Sequence, residues 1–248
     1  MATYNGEKYI IQQLSSILSQ LGENDEVVIS DDSSTDATLT SVRELNDPRI
    51  RIFANNKFHG PIYNFEFCLT KVSGDIIFLA DQDDIWLSGK VSHIMEVFSN
   101  NPEVTLVASD AQIINATGAI IADTFYPAGV KFTSSVLGNI VKNRFLGCSL
   151  AMRRRMLSIV LPFPRRLPMH DSWLGIMNLI FGKVHFIKTP LLAYRRHEGN
   201  FSPSGRAKMI RVLTWRWNLV IGILSRVLAL SVRSAVAGNI CNVAGSPR

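Results

Sequence analysis

Apolar residues recur on two different periods along this chain, and the periods alternate. From Glu7 to Leu21, the positions Ile10, Ile11, Leu14, Ile17, Leu18 and Leu21 repeat at three- and four-residue spacing, which predicts an amphipathic helix. Residues 26–30 form a short β-rich run, Ala37 to Leu45 a second helix, and Arg49 to Ala54 an alternating strand. Pro61 suits the first turn of a third helix that ends near Val72. Asp75 to Ala80 reads as a continuous buried strand, Ser88 to Ser99 as a helix and Val104 to Ser109 as a strand. Strand–helix alternation with short links predicts an α/β domain, with a mostly parallel central sheet flanked by helices.

The second half is less regular. Gln112 to Asn115 and Ala119 to Ala122 flank Ala116-Thr117-Gly118 as a hairpin. Asn143 to Met152 reads as a buried strand, and Pro162, Pro164 and Pro168 mark a loop. An apolar helix opens at His170 and runs to Phe181, and Lys183 to Lys188 and Leu191 to Arg195 read as two short strands.

Composition narrows the class. A chain of 248 residues with 47% apolar and 19% charged positions is globular, not fibrous or disordered. The three cysteines are far apart and form no CxxC, which supports neither a disulfide framework nor a zinc ribbon and fits a reducing compartment best. No uncharged apolar run reaches the roughly 18 to 20 residues of a membrane span, and the first ten residues show no signal-peptide pattern.

The net charge of +6 is unevenly placed. Arg195 to Arg248 hold nine Lys/Arg and one acid, a net of +8, so the first 194 residues sum to 6 − 8 = −2. A nucleic-acid binder would carry its positive charge on the body of the domain; a near-neutral body with a basic tail does not fit one.

Candidate chemistry lies at strand ends, where open α/β sheets bind ligands. Asp81, Asp83 and Asp84 crowd three carboxylates into four residues, an oxygen-rich set that suits a hard divalent ion and its phosphate partner; the plain alternative is a solvated acidic turn. Asp31 and Asp32 follow another buried strand, where a carboxylate can accept hydrogen bonds from a ribose or a base, while Thr35 or Asp36 caps the next helix. Asp171 is the only carboxylate between Asp123 and Glu198, and in the second half only Asp171, Glu198 and a few histidines can take a proton from a reacting hydroxyl; the alternative for Asp171 is an N-capping aspartate paired to a nearby arginine. Tyr194-Arg195-Arg196-His197 offers guanidinium forks for phosphate oxygens and an imidazole for a metal, or else a solvated basic turn. GxGxxG, GxxxxGK[ST] and GxSxG are absent, so dinucleotide oxidoreductases, P-loop enzymes and common α/β-hydrolases are disfavoured.

Five phrases together resemble family 2 glycosyltransferases of the GT-A fold, in their rhamnosyltransferase-like branch. They are Ala2 to Gly6, Ser30 to Asp36, Phe78 to Trp86 (FLADQDDIW), His170 to Trp173, and Tyr194 to His197 with Asn200 to Ser202. The resemblance covers residues 1–202. It implies that Ala2 and Tyr4 lie under the nucleotide base, that Asp32 reads the base, and that Asp81 stands near the sugar or ribose. It implies Asp83 and His197 as ligands of Mg²⁺ or Mn²⁺, Asp171 as general base, and Arg195 and Arg196 on the diphosphate. The expected enzyme is inverting and metal-dependent. Its donor is a nucleotide-diphosphate sugar, with dTDP-rhamnose favoured, and its acceptor a polysaccharide or lipid-linked glycan.

The family places a β-strand before the Ala-Thr-Tyr-Asn phrase, so the first strand is expected to be shortened here; Ser33 stands where the family often has glycine. The alternative is an inactive GT-A remnant that binds a membrane or partner. The expected division is a GT-A domain over 1–204, with a nucleotide-sugar half (1–110) and an acceptor half (111–204), then a basic amphipathic tail over 205–248. Basic residues and tryptophans beside the apolar run from Met209 suit a helix on a membrane interface, or one packed on the domain or a second copy. The expected location is cytoplasmic, peripheral on the inner face of the cell membrane, with no nucleic-acid partner.

Overall fold

Two strand systems, meeting at one end of the molecule, carry the motifs. The computed structural model describes residues 1–126, 134–200 and 209–244, with side chains of the last helix described to Val232. Strands β1 (Ala2–Thr3), β2 (Val27–Asp31) and β3 (Ile50–Phe53) pair in parallel, in the order β1-β2-β3. Helices α1 (Ile10–Leu18) and α2 (Thr38–Glu44) make the crossovers. Helix α3 (Pro61–Lys71) begins with Pro61 in its first turn as the sequence predicts.

The second system contains β4 (Ile76–Phe78), β5 (Ile85–Trp86), β6 (Val104–Ile114), β7 (Ile120–Ala122), β8 (Leu150–Arg153) and β9 (Lys183–Arg195). Its order is β4-β8-β6-β9-β5, with β7 hairpinned onto β6. Here β6 and β9 are parallel and the other pairings antiparallel. The mostly parallel expectation therefore holds for the first system, and the second is mixed. Helices α4 (Lys90–Asn100), α5 (Val136–Val141), α6 (Leu157–Val160) and α7 (His170–Phe181) complete the domain, and α8 (Met209–Ala244) follows.

Three local expectations change. The buried strand expected from Asn143 is strand only from Leu150, because residues 147–149 form a tight turn closed by Ser149 N–H to Leu146 O at 3.0 Å. The two strands expected around Pro190 are one, β9, whose register against β6 shifts near Asp110, opposite the proline that lacks an N–H. Strand β6 runs five residues beyond Ser109, because β9 pairs with it as far as Ile114.

The largest core packs β4, β6 and β8 against α3 and α7, around Phe65, Leu79, Leu106, Leu150, Met152 and Trp173. Leu219 and Ile223 of α8 belong to this same core. A smaller core joins α1 to β2 through Ile10, Leu14, Ile17 and Ile29. Met1 donates from its amino group to Val28 O at 2.7 Å. Between β2 and β4 no strand pairing is made among the described residues, and an apolar groove of about 380 Å³ lies there, lined by Val27, Val28, Ile77 and Leu79.

Candidate active site

A cavity of about 530 Å³ opens beyond the carboxyl ends of β1, β2 and β4. The loop after β1 gives it Ala2, Thr3 and Tyr4; the end of β2 gives Asp32; the loop after β4 gives Asp81, Gln82 and Asp83. Met169 and His170, at the start of α7, close it from the other half, and Tyr194, Gly199 and Asn200 line its edge.

Asp31 and Asp32 divide the work at the end of β2. Asp31 is buried and accepts from Ser34 N at 2.8 Å, from Ser34 Oγ at 2.5 Å and from Thr3 Oγ1 at 2.9 Å, so its carboxylate builds the turn. Asp32 faces the cavity and accepts from Phe58 N–H at 2.6 Å and Gly60 N–H at 2.9 Å. Each of its oxygens thus accepts one backbone donor and keeps further acceptor capacity. Ser33 adopts the left-handed conformation that favours glycine, at φ 66°, and offsets the strain by donating Oγ to Asn56 O at 2.6 Å. Asp36 accepts from Thr38 N–H at 3.0 Å and Glu7 N–H at 3.1 Å, binding the loop after β1 to the start of α2.

Gln82 clasps the loop after β1 to the acidic loop. Its Oε1 accepts from Tyr4 N–H and its Nε2 donates to Tyr4 O, both at 2.9 Å. Gly6 leaves room for this clasp, since a Cβ there would lie 2.4 Å from Gln82 Oε1. Helix α1 holds the acidic loop from behind: Gln13 Nε2 donates to Asp81 O at 2.8 Å, and Ser16 Oγ accepts from Trp86 N–H at 3.0 Å. The polar face of α1 is therefore part of the site's scaffold. Periodicity assigns that face to solvent and so misses Gln12 and Gln13.

The structure brings Asp83 and His197 together in a direct contact, with Oδ2 and Nε2 2.8 Å apart. Gly199 N–H donates to His197 Nδ1 at 3.1 Å, so Nε2 bears the proton when the ring is neutral, and it donates to Asp83. Asn200 Nδ2 also donates to Asp83 Oδ2, at 3.2 Å. The Phe201 and Ser202 part of this phrase lies outside the described residues.

Asp81, Asp84 and Cys148 form a second group, with possible ligand atoms within 4.8 Å of one another. This group fits a hard cation less well. Burial pushes the Cys148 thiol well up, and buried Lys90 donates to Cys148 O at 3.0 Å while lying over the Trp86 ring at 4.5 Å. Burial and the neighbouring Asp83 charge push Asp84 up to about 7, and burial pushes Lys90 down to about 8. Asp81 is raised as well, first by desolvation and then by Asp84, Asp83 and Asp171. Asp83 lines the cavity, while His197, bonded through both ring nitrogens, does not.

Arg195 differs from the expectation of a diphosphate ligand. The residue is 2% exposed and does not line the cavity. Its N–H donates to Asp84 Oδ1 at 2.9 Å, Nε to Asp83 O at 2.7 Å and one terminal nitrogen to Gln12 Oε1 at 2.7 Å. The other terminal nitrogen reaches Asn115 O and Ala116 O at 3.3 and 3.4 Å, and the guanidinium lies 4.6 Å from the Tyr9 ring centroid. Arg195 thus ties the acidic loop, α1 and the β6–β7 hairpin to the segment that brings in His197. Arg196 is half-buried and donates to Tyr194 Oη at 3.2 Å, outside the cavity lining. Arg195→Lys keeps the charge and loses the fork, so the melting temperature falls, with roughly 2 kcal/mol or more lost with the charged hydrogen bonds. Calorimetry beside nucleotide titration checks this: weaker nucleotide binding at unchanged stability would return Arg195 to the diphosphate.

Asp171 is the second residue of α7, and Met169 holds the N-cap position, so Asp171 is not the cap. Its Oδ1 accepts from Ser172 N–H at 2.6 Å. Burial pushes its carboxyl up to about 7, against the pull of the Ser172 N–H and the Asn143 amide. His170 stacks on Phe65 at 4.2 Å, burial lowers its imidazole to about 3, and neither ring nitrogen has a partner among the described residues. Gly147 makes room for it, since a Cβ there would lie 2.9 Å from His170 Nε2.

Residues 1–159 match the family model of glycosyl transferase family 2. The chain belongs to that family. A relative from Escherichia coli, UDP-Glc:alpha-D-GlcNAc-diphosphoundecaprenol beta-1,3-glucosyltransferase WfgD, is 30% identical over 165 residues, 66% of this chain and 62% of that protein. The dTDP-rhamnosyl transferase RfbG of Shigella flexneri is 42% identical over 109 residues, 40% of this chain and 38% of RfbG. The family 2 chain thus spans less than two thirds of the length of these relatives. Among solved structures, S. aureus TarS 1–349 in complex with UDP-GlcNAc superposes with a TM-score of 0.69 at 18% identity, over 90% of this chain and 65% of TarS. That likeness shows the GT-A fold expected from the sequence.

Proposed function

We propose that this family 2 chain transfers a sugar from a nucleotide-diphosphate donor to a hydroxyl of a glycan or lipid-linked acceptor, with inversion, and that rhamnose from dTDP-rhamnose is the favoured sugar. One observation carries the reading: a single cavity gathers Asp32, the Asp81-Gln82-Asp83 loop and the start of α7 beside Asp171. The relative named a dTDP-rhamnosyl transferase and the one named for a diphosphoundecaprenol substrate support the donor and acceptor classes. In this reading residues 1–110 hold the nucleotide sugar and 111–204 the acceptor, and α8 makes peripheral contact with the cytoplasmic face of the membrane.

A divalent ion would be held by Asp83, and by His197 once the imidazole proton leaves Nε2, and would supply positive charge to the diphosphate leaving group. Ala2 and Tyr4 form the floor under the base, and Asp32 accepts from it. Asp81, beside them, faces the sugar or ribose. Asp171 takes the proton from the acceptor hydroxyl on the far side of the sugar. A carboxyl held near 7 can accept a proton and release it again at neutral pH. A single displacement needs no second nucleophile, in keeping with the lone carboxylate between Asp123 and Glu198.

A melting screen of nucleotide sugars with and without Mn²⁺ or Mg²⁺ tests the reading. The cognate donor at 100 times its Kd stabilises by about 2.7 kcal/mol, and only with metal present. A folded protein that no nucleotide sugar protects, metal included, would sink the proposal.

A further inference from the structure

We infer that α5 and the outer face of α8 form one docking surface for an anionic lipid bilayer, with α8 lying along the membrane plane. This deepens the proposed membrane contact by naming the surface and fixing its orientation, and it does not depend on the catalytic assignments.

The inner face of α8 is already occupied. Leu219 and Ile223 lie in the main core, and Arg226 donates to the carbonyls of Ile159, Leu161 and Pro162, the second at 2.7 Å. By length and composition Met209–Val232 is long and apolar enough to cross a membrane. Spanning would strip Leu219, Ile223 and Arg226 from the domain, so the helix lies against the protein and presents only its other face.

That other face is apolar. Ile210, Leu213, Trp217, Ile221, Leu224 and Leu228 are all exposed at three- and four-residue spacing, Trp217 at 65%. They make a stripe about 30 Å long at 1.5 Å per residue. Helix α5 widens it with Leu137, 75% exposed, and Val141, and Arg216 of α8 donates to Val141 O at 2.6 Å. The hydroxyls of Thr214 and Ser231 donate to Ile210 O and Val227 O, so they bring no unpaired donor to lipid.

Charge selects the occupant. At helical spacing Arg211 and Arg216 stand on either flank of the stripe, and Lys142 follows α5. No acid follows Glu198, and Asp171 is the only one between Asp123 and Glu198. Two copies meeting through this face would oppose Arg211, Arg216 and Lys142 with their like charges. Anionic headgroups pair with all of them, while the apolar row and Trp217 enter the acyl boundary. Helix α7, which carries Asp171, packs against α5, so a lipid-linked hydroxyl would arrive on the side of the proposed base.

Sedimentation of the intact chain with vesicles tests this, using phosphatidylcholine alone and with added phosphatidylglycerol. Binding to the anionic vesicles is about tenfold or more tighter and weakens as salt rises. Leu137→Glu and Trp217→Glu each lower it by about tenfold, the loss of one buried apolar side chain. Both positions are exposed, so melting temperature and metal-dependent nucleotide binding stay unchanged. Point variants are needed, because removing α8 would uncover the core around Trp173. Equal binding to neutral vesicles, attachment that survives high salt, or a dimer in solution that Trp217→Glu dissolves would each overturn the inference. Normal vesicle binding by a protein that takes no nucleotide sugar would overturn the proposed function alone.

Discussion

Asp171→Asn lowers turnover by about two to four orders of magnitude while donor binding persists. Asparagine keeps the size and can still accept from Ser172 N–H, but it cannot take the acceptor's proton. The wild-type rate should climb with pH and level off above about 7, where Asp171 is ionised. Stability moves the opposite way. The folded carboxyl titrates near 7 and the unfolded one near 3.9, so the unfolded state binds fewer protons between those values. Wild-type stability therefore falls as pH rises through that window and is flat beyond it. The asparagine variant lacks this loss, so its melting temperature gains on the wild type from pH 4 to 7. Turnover, donor affinity and melting curves over that range check the set; near-normal turnover would remove Asp171 from the mechanism.

Asp83→Ala abolishes transfer and the metal-dependent part of nucleotide binding. Oδ2 accepts from His197 and Asn200, so removing the carboxylate empties the centre of the cluster proposed to hold the ion. Losing it also leaves two donors without their acceptor. Asp83→Asn, which keeps the volume, is the companion that separates metal loss from loosening. Titration calorimetry with Mn²⁺ and nucleotide reads both. Metal-dependent binding unchanged in a folded Asp83→Ala protein would count against the pair.

Helix α1 was legible because its apolar face is buried at helical spacing, α3 because Pro61 opens it, α7 because it is apolar and buried almost all round, and the hairpin of β6 and β7 because a Thr-Gly turn parts two apolar runs. Pairing direction was not legible. Apolar runs show that a strand is buried, not which way its neighbour runs, and β8 enters antiparallel between β4 and β6. Asp32, Asp83 and His197 stood out because charged groups at strand ends are conspicuous. The role of Arg195 did not, since a guanidinium is as ready to bind phosphate as to collect backbone carbonyls, and only the fold decides. Lys90 was overlooked for the same reason: reading by pattern puts lysine at the surface, yet this one is wholly buried behind the acidic loop.

The reciprocal amide clasp between Gln82 and Tyr4 has a thermodynamic meaning. Tyr4 belongs to the loop proposed to lie beneath the base, and Gln82 sits between the two aspartates proposed to face the sugar and the ion. Ordering either loop orders both, so the entropy lost when one ligand binds is no longer lost to the second. Metal and nucleotide would then bind with positive heterotropic cooperativity, each raising the other's affinity by the same factor.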